Sequence, residues 1–559
     1  MRRLTILMLI CLAADYSRGA EGSAASGRQA MVATVQPLAT EAGVAALRAG
    51  GNAVDAAVAA ALTLGVVDGH NSGIGGGCFM VLRLANGRIV ALDGRETAPR
   101  GAHRDMYLRD GKAEPQLSQT GPLAVATPGA LAAYASAVEN FGNRSLADLL
   151  EAAAEIAERG FPLDAVYAAR LQAERKTLAR FEGSRAVLLQ PDGRPYQFGQ
   201  TLRQPDLAAT YRAIAQHGTG WFYGGPFAER VERWMRGHGG LLTAEDFRQY
   251  QVKLRTPLRS SYRGYEIVGF PPPSSGGVHV AQILNILENF PLADASPPDR
   301  VHLVAEAMKR AFADRAYWLG DPDFAQVPRG LIDQSYAARL AKQIDTARAV
   351  RVPGHGQPPA WQTDVFGKHT THIAAADAAG NWVAITTTVN TPFGSKVIVP
   401  DTGVMMNNQM DDFSIQPGVP NAFGLVGAEA NAVAAGKRPL SSMSPTIVLK
   451  DNRPVMTLGA AGGPRIISQV VLTIIRCVDC GMSLPEAVAA PRVHHQWSPD
   501  RLYIEATLDA AVVKALKARG HQVALMPYAG VTQAIGIAAD GQNLIGVHDP
   551  RVPGRAAGY

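Results

Sequence analysis

Hydrophobic periodicity divides the chain into three stretches. Over residues 38–48 apolar positions recur at helical spacing and stop at Gly50-Gly51, and Asn52 stands where an N-cap would open a second helix over residues 53–67. That second helix is apolar on every side and so belongs in a core. It is too short for a membrane span, and it carries Asp55. After the glycine-rich Ser72-Gly73-Ile74-Gly75-Gly76-Gly77 the period changes to two, and Asn86-Gly87 joins a pair of strands. The second of these runs into Asp93-Gly94-Arg95-Glu96-Thr97-Ala98-Pro99, which places Arg95 exposed at a strand end. Residues 130–345 read as mainly helical, broken by a rigid loop at Pro271-Pro272-Pro273-Ser274-Ser275-Gly276-Gly277.

Strands return from residue 370. Alternation on both sides of Ala378-Ala379-Gly380-Asn381 predicts a hairpin with Thr370 at the head of one strand and Thr388 and Asn390 near the end of its neighbour. Residues 443–450 and 454–459 form a second hairpin through Asp451-Asn452, a helix opens near Pro464, and residues 531–538 and 543–547 pair through Asp540-Gly541. Strand pairs early and late, with helices between them, predict a layered α/β fold of stacked sheets covered by helices.

Composition narrows the class. The chain has 559 residues, 47% hydrophobic and 18% charged, which is ample for a large core. A net charge of +6 without any Lys/Arg block gives no nucleic-acid signal. Residues 1–20 read as an export signal. Arg2 and Arg3 precede an apolar run over residues 4–14 that is too short to span a bilayer, and cleavage after Ala14 or Ala20 is open. The mature protein is then exported, periplasmic or secreted, with no stable membrane insertion. Removal of Cys11 would leave Cys78, Cys477 and Cys480, too few for a disulfide framework. Cys477 and Cys480 have redox-pair spacing but sit at the end of an apolar helical run, so core packing is the favoured reading.

The candidate chemistry begins at Lys368-His369-Thr370-Thr371-His372. A threonine hydroxyl is a weak nucleophile without a neighbouring base, and a chain cut just before it makes its own α-amino group that base. By itself, the run of threonines reads first as a β-forming stretch, and the rest of the chain must decide. The strand-to-helix junction Gly459-Ala460-Ala461-Gly462-Gly463-Pro464-Arg465 offers unpaired N–H groups for an oxyanion, or serves as a packing turn. Arg95 supplies a guanidinium fork and Ser441-Ser442 two hydroxyls, a set suited to a carboxylate, while Gln409 and Asp412 are acceptors suited to an ammonium.

Taken in order from Gln36 to Pro550, these motifs resemble the γ-glutamyltranspeptidases (glutathione hydrolases), of the N-terminal nucleophile hydrolase superfamily. Pro272-Pro273-Ser274-Ser275-Gly276-Gly277, Tyr317-Trp318-Leu319-Gly320-Asp321-Pro322 and His494-His495-Gln496-Trp497 are part of the likeness. The resemblance implies a four-layer αββα sandwich and a precursor that cuts itself before Thr370, giving a large subunit over residues 21–369 and a small catalytic subunit over residues 370–559. It implies that Thr370 is the nucleophile, that Thr388 bonds to it and that Gly462 and Gly463 form the oxyanion hole. It further implies that Arg95, Ser441 and Ser442 take the donor's α-carboxylate, and that Asn390, Gln409 and Asp412 take its amino end. No cofactor or metal is implied. The partners are small molecules (glutathione, other γ-glutamyl compounds, amino-acid or dipeptide acceptors) and the two subunits themselves.

The chain departs from the family pattern at Cys78, where glycine is usual, and at Pro392 and Lys396. Residues 417–437 resemble a lid, with Phe423 where a tyrosine often gates the pocket. Three other functions compete. A cephalosporin or glutaryl-amide acylase would leave Asn390, Gln409 and Asp412 without a partner. A metal hydrolase on His369, His372, His494 and His495 lacks a Glu between the histidines of a helix. A non-catalytic exported binding protein would need no cut before Thr370.

Overall fold

The computed structural model describes residues 22–359, 372–526 and 529–559. Two seven-stranded sheets form its centre. In chain order their strands are β1 (Ala24–Gly27), β2 (Ala30–Thr34), β3 (Gly77–Arg83), β4 (Ile89–Gly94), β5 (Lys253–Arg255), β6 (Leu258–Tyr262), β7 (Tyr265–Gly269), β8 (His372–Asp377), β9 (Trp382–Thr388), β10 (Thr446–Lys450), β11 (Arg453–Ala461), β12 (Val531–Ile537), β13 (Leu544–Val547) and β14 (Arg555–Gly558). One sheet runs β1-β13-β12-β11-β10-β7-β6, the other β14-β2-β8-β9-β3-β4-β5. Neighbours throughout are antiparallel.

The side-chain alternation shows why these strands are buried on both faces. In β2, Met31 and Ala33 point into the apolar layer between the sheets while Val32 points to the outer helices. In β8, Ala374 and Ala376 point inward and Ile373 and Ala375 outward, and β9 repeats this with Ala384 against Val383 and Ile385. A strand apolar on both faces requires cover on both. Phe79 and Phe270 stack across the sheets with centroids 4.1 Å apart. Helices α1 (Pro37–Arg48) and α2 (Ala53–Val67) cover the second sheet; α3 (Ser275–Leu287), α4 (Pro297–Trp318) and α5 (Arg465–Val478) cover the first. The architecture is the αββα sandwich. Asn52 does cap α2, in a reciprocal capping box with Asp55.

The structure corrects the secondary structure expected from sequence at two places. Residues 253–269, read within a helical region, form β5, β6 and β7. Exposed Arg259 and half-exposed Ser260 interrupt the apolar pattern because β6 is an edge strand. Ser275, Gly276 and Gly277 are the first turn of α3, capped by Ser274, and not part of a loop. Here glycine serves close packing: a Cβ on Gly276 would stand 2.1 Å from the Met443 carbonyl oxygen.

Each sheet takes strands from both sides of residue 370. β1, β6 and β7 join β10 to β13, and β2 to β5 join β8, β9 and β14. Among the described residues, no helix is long and apolar enough to cross a membrane.

Candidate active site

Thr370, with His369, lies outside the described residues, as do residues 1–20. β8 begins at His372, whose Nδ1 lies 3.1 Å from Thr386 Oγ1 on the neighbouring strand. Complete burial holds the His372 imidazole neutral, its pKa pulled down to about 3.

Thr388 closes β9 and is buried opposite Gly77 of β3. Its hydroxyl oxygen accepts the Asn390 backbone N–H at 2.7 Å, which turns the chain sharply. Asn390 sits at φ 82°, a conformation asparagine tolerates better than most residues, and its amide donates to the Asn408 carbonyl at 3.0 Å. Asn408 in turn accepts the Thr391 N–H at 3.1 Å. Asn390 is thereby tied to the segment that carries Gln409 and Asp412.

Arg95 is completely buried, contrary to the exposed position read from sequence, because the segments around Asp412 and Pro439 close over the end of β4. Its Nη2 donates to Asp412 Oδ2 at 2.6 Å, its Nη1 lies 3.4 Å from Glu96 Oε2, and its Nε donates to the Pro439 carbonyl. Gln409 Nε2 donates to the same Asp412 oxygen at 3.0 Å. A carboxylate only accepts, so the Gln409 nitrogen must face it and its carbonyl oxygen must face away. That oxygen is buried and has no hydrogen-bond partner among the described residues. Glu96 is also fully buried, and desolvation first, partly opposed by Arg95, pushes its carboxyl up to about 7.

Ser441 and Ser442 are both buried, on a segment that bridges in parallel to Ser274. The Ser275 hydroxyl donates to the Ser441 carbonyl at 2.6 Å, and Arg315 Nη2 donates to Ser442 Oγ at 3.3 Å. Beyond β11, Gly462 and Gly463 stand at φ 134° and 60°, conformations that free their N–H groups from the strand ladder and that side chains resist. A Cβ on Gly463 would meet the Phe423 ring at 2.7 Å, so that ring lies directly on the diglycine. Residues near Phe423 are held by Asp411, which accepts the Ala422 N–H at 2.9 Å, and by Gln496, which donates to the Gly424 carbonyl.

The structure thus joins Arg95, Gln409 and Asp412 directly, links Asn390 to them through Asn408, and sets Phe423 against Gly463. Glu96 and Arg315 escaped the sequence reading. Glu96 was legible only as the neighbour of Arg95. Arg315 belongs to a run in α4 that includes Glu306, Lys309, Arg310 and Asp314, all of them buried, where a charged run ordinarily signals a solvated face.

Among the described residues, His372, His494 and His495 do not gather into a metal-ligand group. His494 bonds to Ser468 and Gln496, and His495 to Asp500. Among the described residues the grouping with metal-ligand spacing is His302, Glu306 and His521. Both Glu306 oxygens are already held by Lys309 and Arg310, cations that would repel a metal ion. Cys477 and Cys480 are free and half-buried, and burial pushes the Cys477 thiol up to about 12, far from an activated thiolate.

The αββα core is that of the N-terminal nucleophile hydrolases. The model of the gamma-glutamyltranspeptidase family matches residues 39–559, and the chain belongs to that family. It is 43% identical to the glutathione hydrolase proenzyme of Escherichia coli (strain K12), over 95% of this chain and 92% of that one. It is 41% identical to the Acylase ACY 1 proenzyme of Pseudomonas sp. (strain SE83), over 94% and 93% of the two chains. The cephalosporin acylase of Bacillus halodurans superposes with a TM-score of 0.86 at 29% identity, over 96% of this chain and 97% of that one.

Proposed function

We propose that this protein is a self-processing γ-glutamyl hydrolase and transferase that acts on glutathione and related γ-glutamyl amides. The observation that carries this reading is the buried Gln409 Oε1, an acceptor without a partner, beside the Arg95–Asp412 ion pair. An α-amino acid bears carboxylate and ammonium on one carbon, and adjacent Arg95 and Asp412 complement the two charges. The ammonium takes Asp412 and Gln409 Oε1, with Asn390 closing that end. The carboxylate takes Arg95 with the Ser441 and Ser442 hydroxyls. A glutaryl side chain has no ammonium, and would leave that oxygen and Asp412 unsatisfied at a cost of about 1–3 kcal/mol per group.

In this reading the His369–Thr370 peptide bond is cut and Thr370 gains a free α-amino group. That amine accepts the hydroxyl proton as Oγ1 attacks the γ-carbonyl carbon. The Gly462 and Gly463 N–H groups stabilise the oxyanion, Thr388 orients the nucleophile, and the C–N bond breaks as the proton passes to the leaving amine. Water or an amino-acid or dipeptide acceptor then takes the γ-glutamyl group from the ester. The interleaving of strands from both sides of residue 370 keeps the two subunits in one fold after the cut. Residues 1–20 direct export.

The test is denaturing electrophoresis with donor turnover. The wild-type protein should give two bands, and Thr370→Ala one uncut, inactive chain. Maturation or turnover in that variant would remove Thr370 from the mechanism.

A further inference from the structure

Arg315 is 3% exposed, near the end of α4 and beneath the serine pair. It forms no ion pair among the described residues, unlike the other buried arginines close to it: Arg95 pairs with Asp412, and Arg438 with Asp93. Its Nε donates to Ser275 Oγ at 3.0 Å and its Nη2 to Ser442 Oγ at 3.3 Å. Burying a guanidinium without a counter-ion is costly, and a cation held that way is ready for an incoming anion. Burial pulls its pKa down to about 10, and the Asp412 charge is the counteracting influence.

The hydrogen-bond polarity follows from the donors. A guanidinium has five N–H groups and no acceptor, so each hydroxyl that meets it must accept and must send its single proton elsewhere. Ser275 sends its proton to the Ser441 carbonyl. Among the described residues, Ser442 Oγ has no side-chain or backbone partner other than Arg315. Its proton is left for an acceptor that the described residues do not supply.

We propose that Arg315 is a positioning residue for the donor's α-carboxylate: through Ser442 it fixes that hydroxyl as a donor, and its unpaired charge draws an anion to the serine pair. This rests on the γ-glutamyl reading above and adds to it a means of choosing at the α-carbon. A carboxylate, which only accepts, satisfies the Ser442 proton and the positive field, whereas an α-carboxamide brings no charge and one acceptor oxygen in place of two.

The experiment compares γ-glutamyl-p-nitroanilide with its α-carboxamide analogue in wild type, Arg315→Met, Arg315→Lys, Ser442→Ala, Arg95→Lys and the Arg315→Met/Ser442→Ala double variant, each scored for maturation by electrophoresis. Arg315→Met should raise KM for the carboxylate donor roughly 10-fold or more, the scale of one charge-assisted hydrogen bond. Its kcat should move little, and the preference for carboxylate over carboxamide should shrink by a similar factor. Arg315→Lys should recover part of the preference, and the double variant should lose no more than the larger single loss. If Arg315→Met does not mature, Arg315→Lys carries the same comparison, with a threefold or greater loss of preference expected. Equal loss on both donors, an unchanged preference, or additive losses in the double variant would overturn the proposal. If Ser442→Ala and Arg95→Lys also leave the preference intact, the γ-glutamyl carboxylate reading fails with it; if they abolish it and the Arg315 variants do not, the inference about Arg315 fails alone.

Discussion

Replacing Asp412 by Asn tests the amino-end assignment most directly. The substitution keeps the side chain's size and one acceptor oxygen but removes the charge that faces Arg95 at 2.6 Å and that, in the proposed function, takes the donor's ammonium. Two effects follow. Arg95 is left in a fully buried place with Glu96 as its remaining carboxyl neighbour, and breaking a buried pair typically costs about 3–5 kcal/mol of stability, less where an amide oxygen still accepts. The donor's ammonium loses a charge-assisted hydrogen bond of about 1.5–3 kcal/mol, which corresponds to a 10- to 150-fold loss of roughly that size in kcat/KM. A glutaryl anilide without the α-amino group never makes that bond, so its kcat/KM should fall by less than about threefold beyond any general loss of site order. The assay is steady-state kinetics on γ-glutamyl- and glutaryl-p-nitroanilide, with electrophoresis to confirm maturation and a thermal melt to measure the stability cost. Parallel losses on the two donors would refute the ammonium role and bring the acylase function forward.

Two further outcomes follow from the site. Gly463→Ala should lower kcat about 100-fold, because it strains a φ of 60° in the segment proposed to hold the oxyanion and drives a methyl into Phe423; adding Phe423→Ala should recover the part due to the clash, and no recovery in acylation-burst kinetics would mean that the ring does not lie on the diglycine. Glu96 has its folded-state pKa raised to about 7 by burial, so the stability it contributes is present below its unfolded value near ~4.3 and is lost as pH rises through 7; Glu96→Gln, which mimics the protonated form, should flatten the decline in melting temperature between pH 5 and 8, and an unchanged slope would show that another group titrates there.

Much of this protein was written in local patterns. The hairpin of β8 and β9, the capped α2, the turn at Asp451-Asn452 and the layered class follow from periodicity and turn chemistry, which depend on near neighbours in the chain. The motifs around Arg95, Asp412, Ser441 and Gly462 were legible as chemical types because a guanidinium, a carboxylate and a diglycine keep their character wherever they fold. Strands β5 to β7 were not legible, since β6 breaks its apolar pattern with polar residues at a sheet edge. Nor could sequence show that Arg95 and Asp412, 317 positions apart, meet as a buried ion pair, or that the charged residues of α4 turn inward. Burial depends on which segments close over a side chain, and that is settled by packing between elements distant in sequence. For the same reason only the folded chain leaves Gln409 Oε1 without a partner and Arg315 without a counter-ion among the described residues: an unmet hydrogen bond or charge is a property of a complete surrounding, and no stretch of sequence contains one.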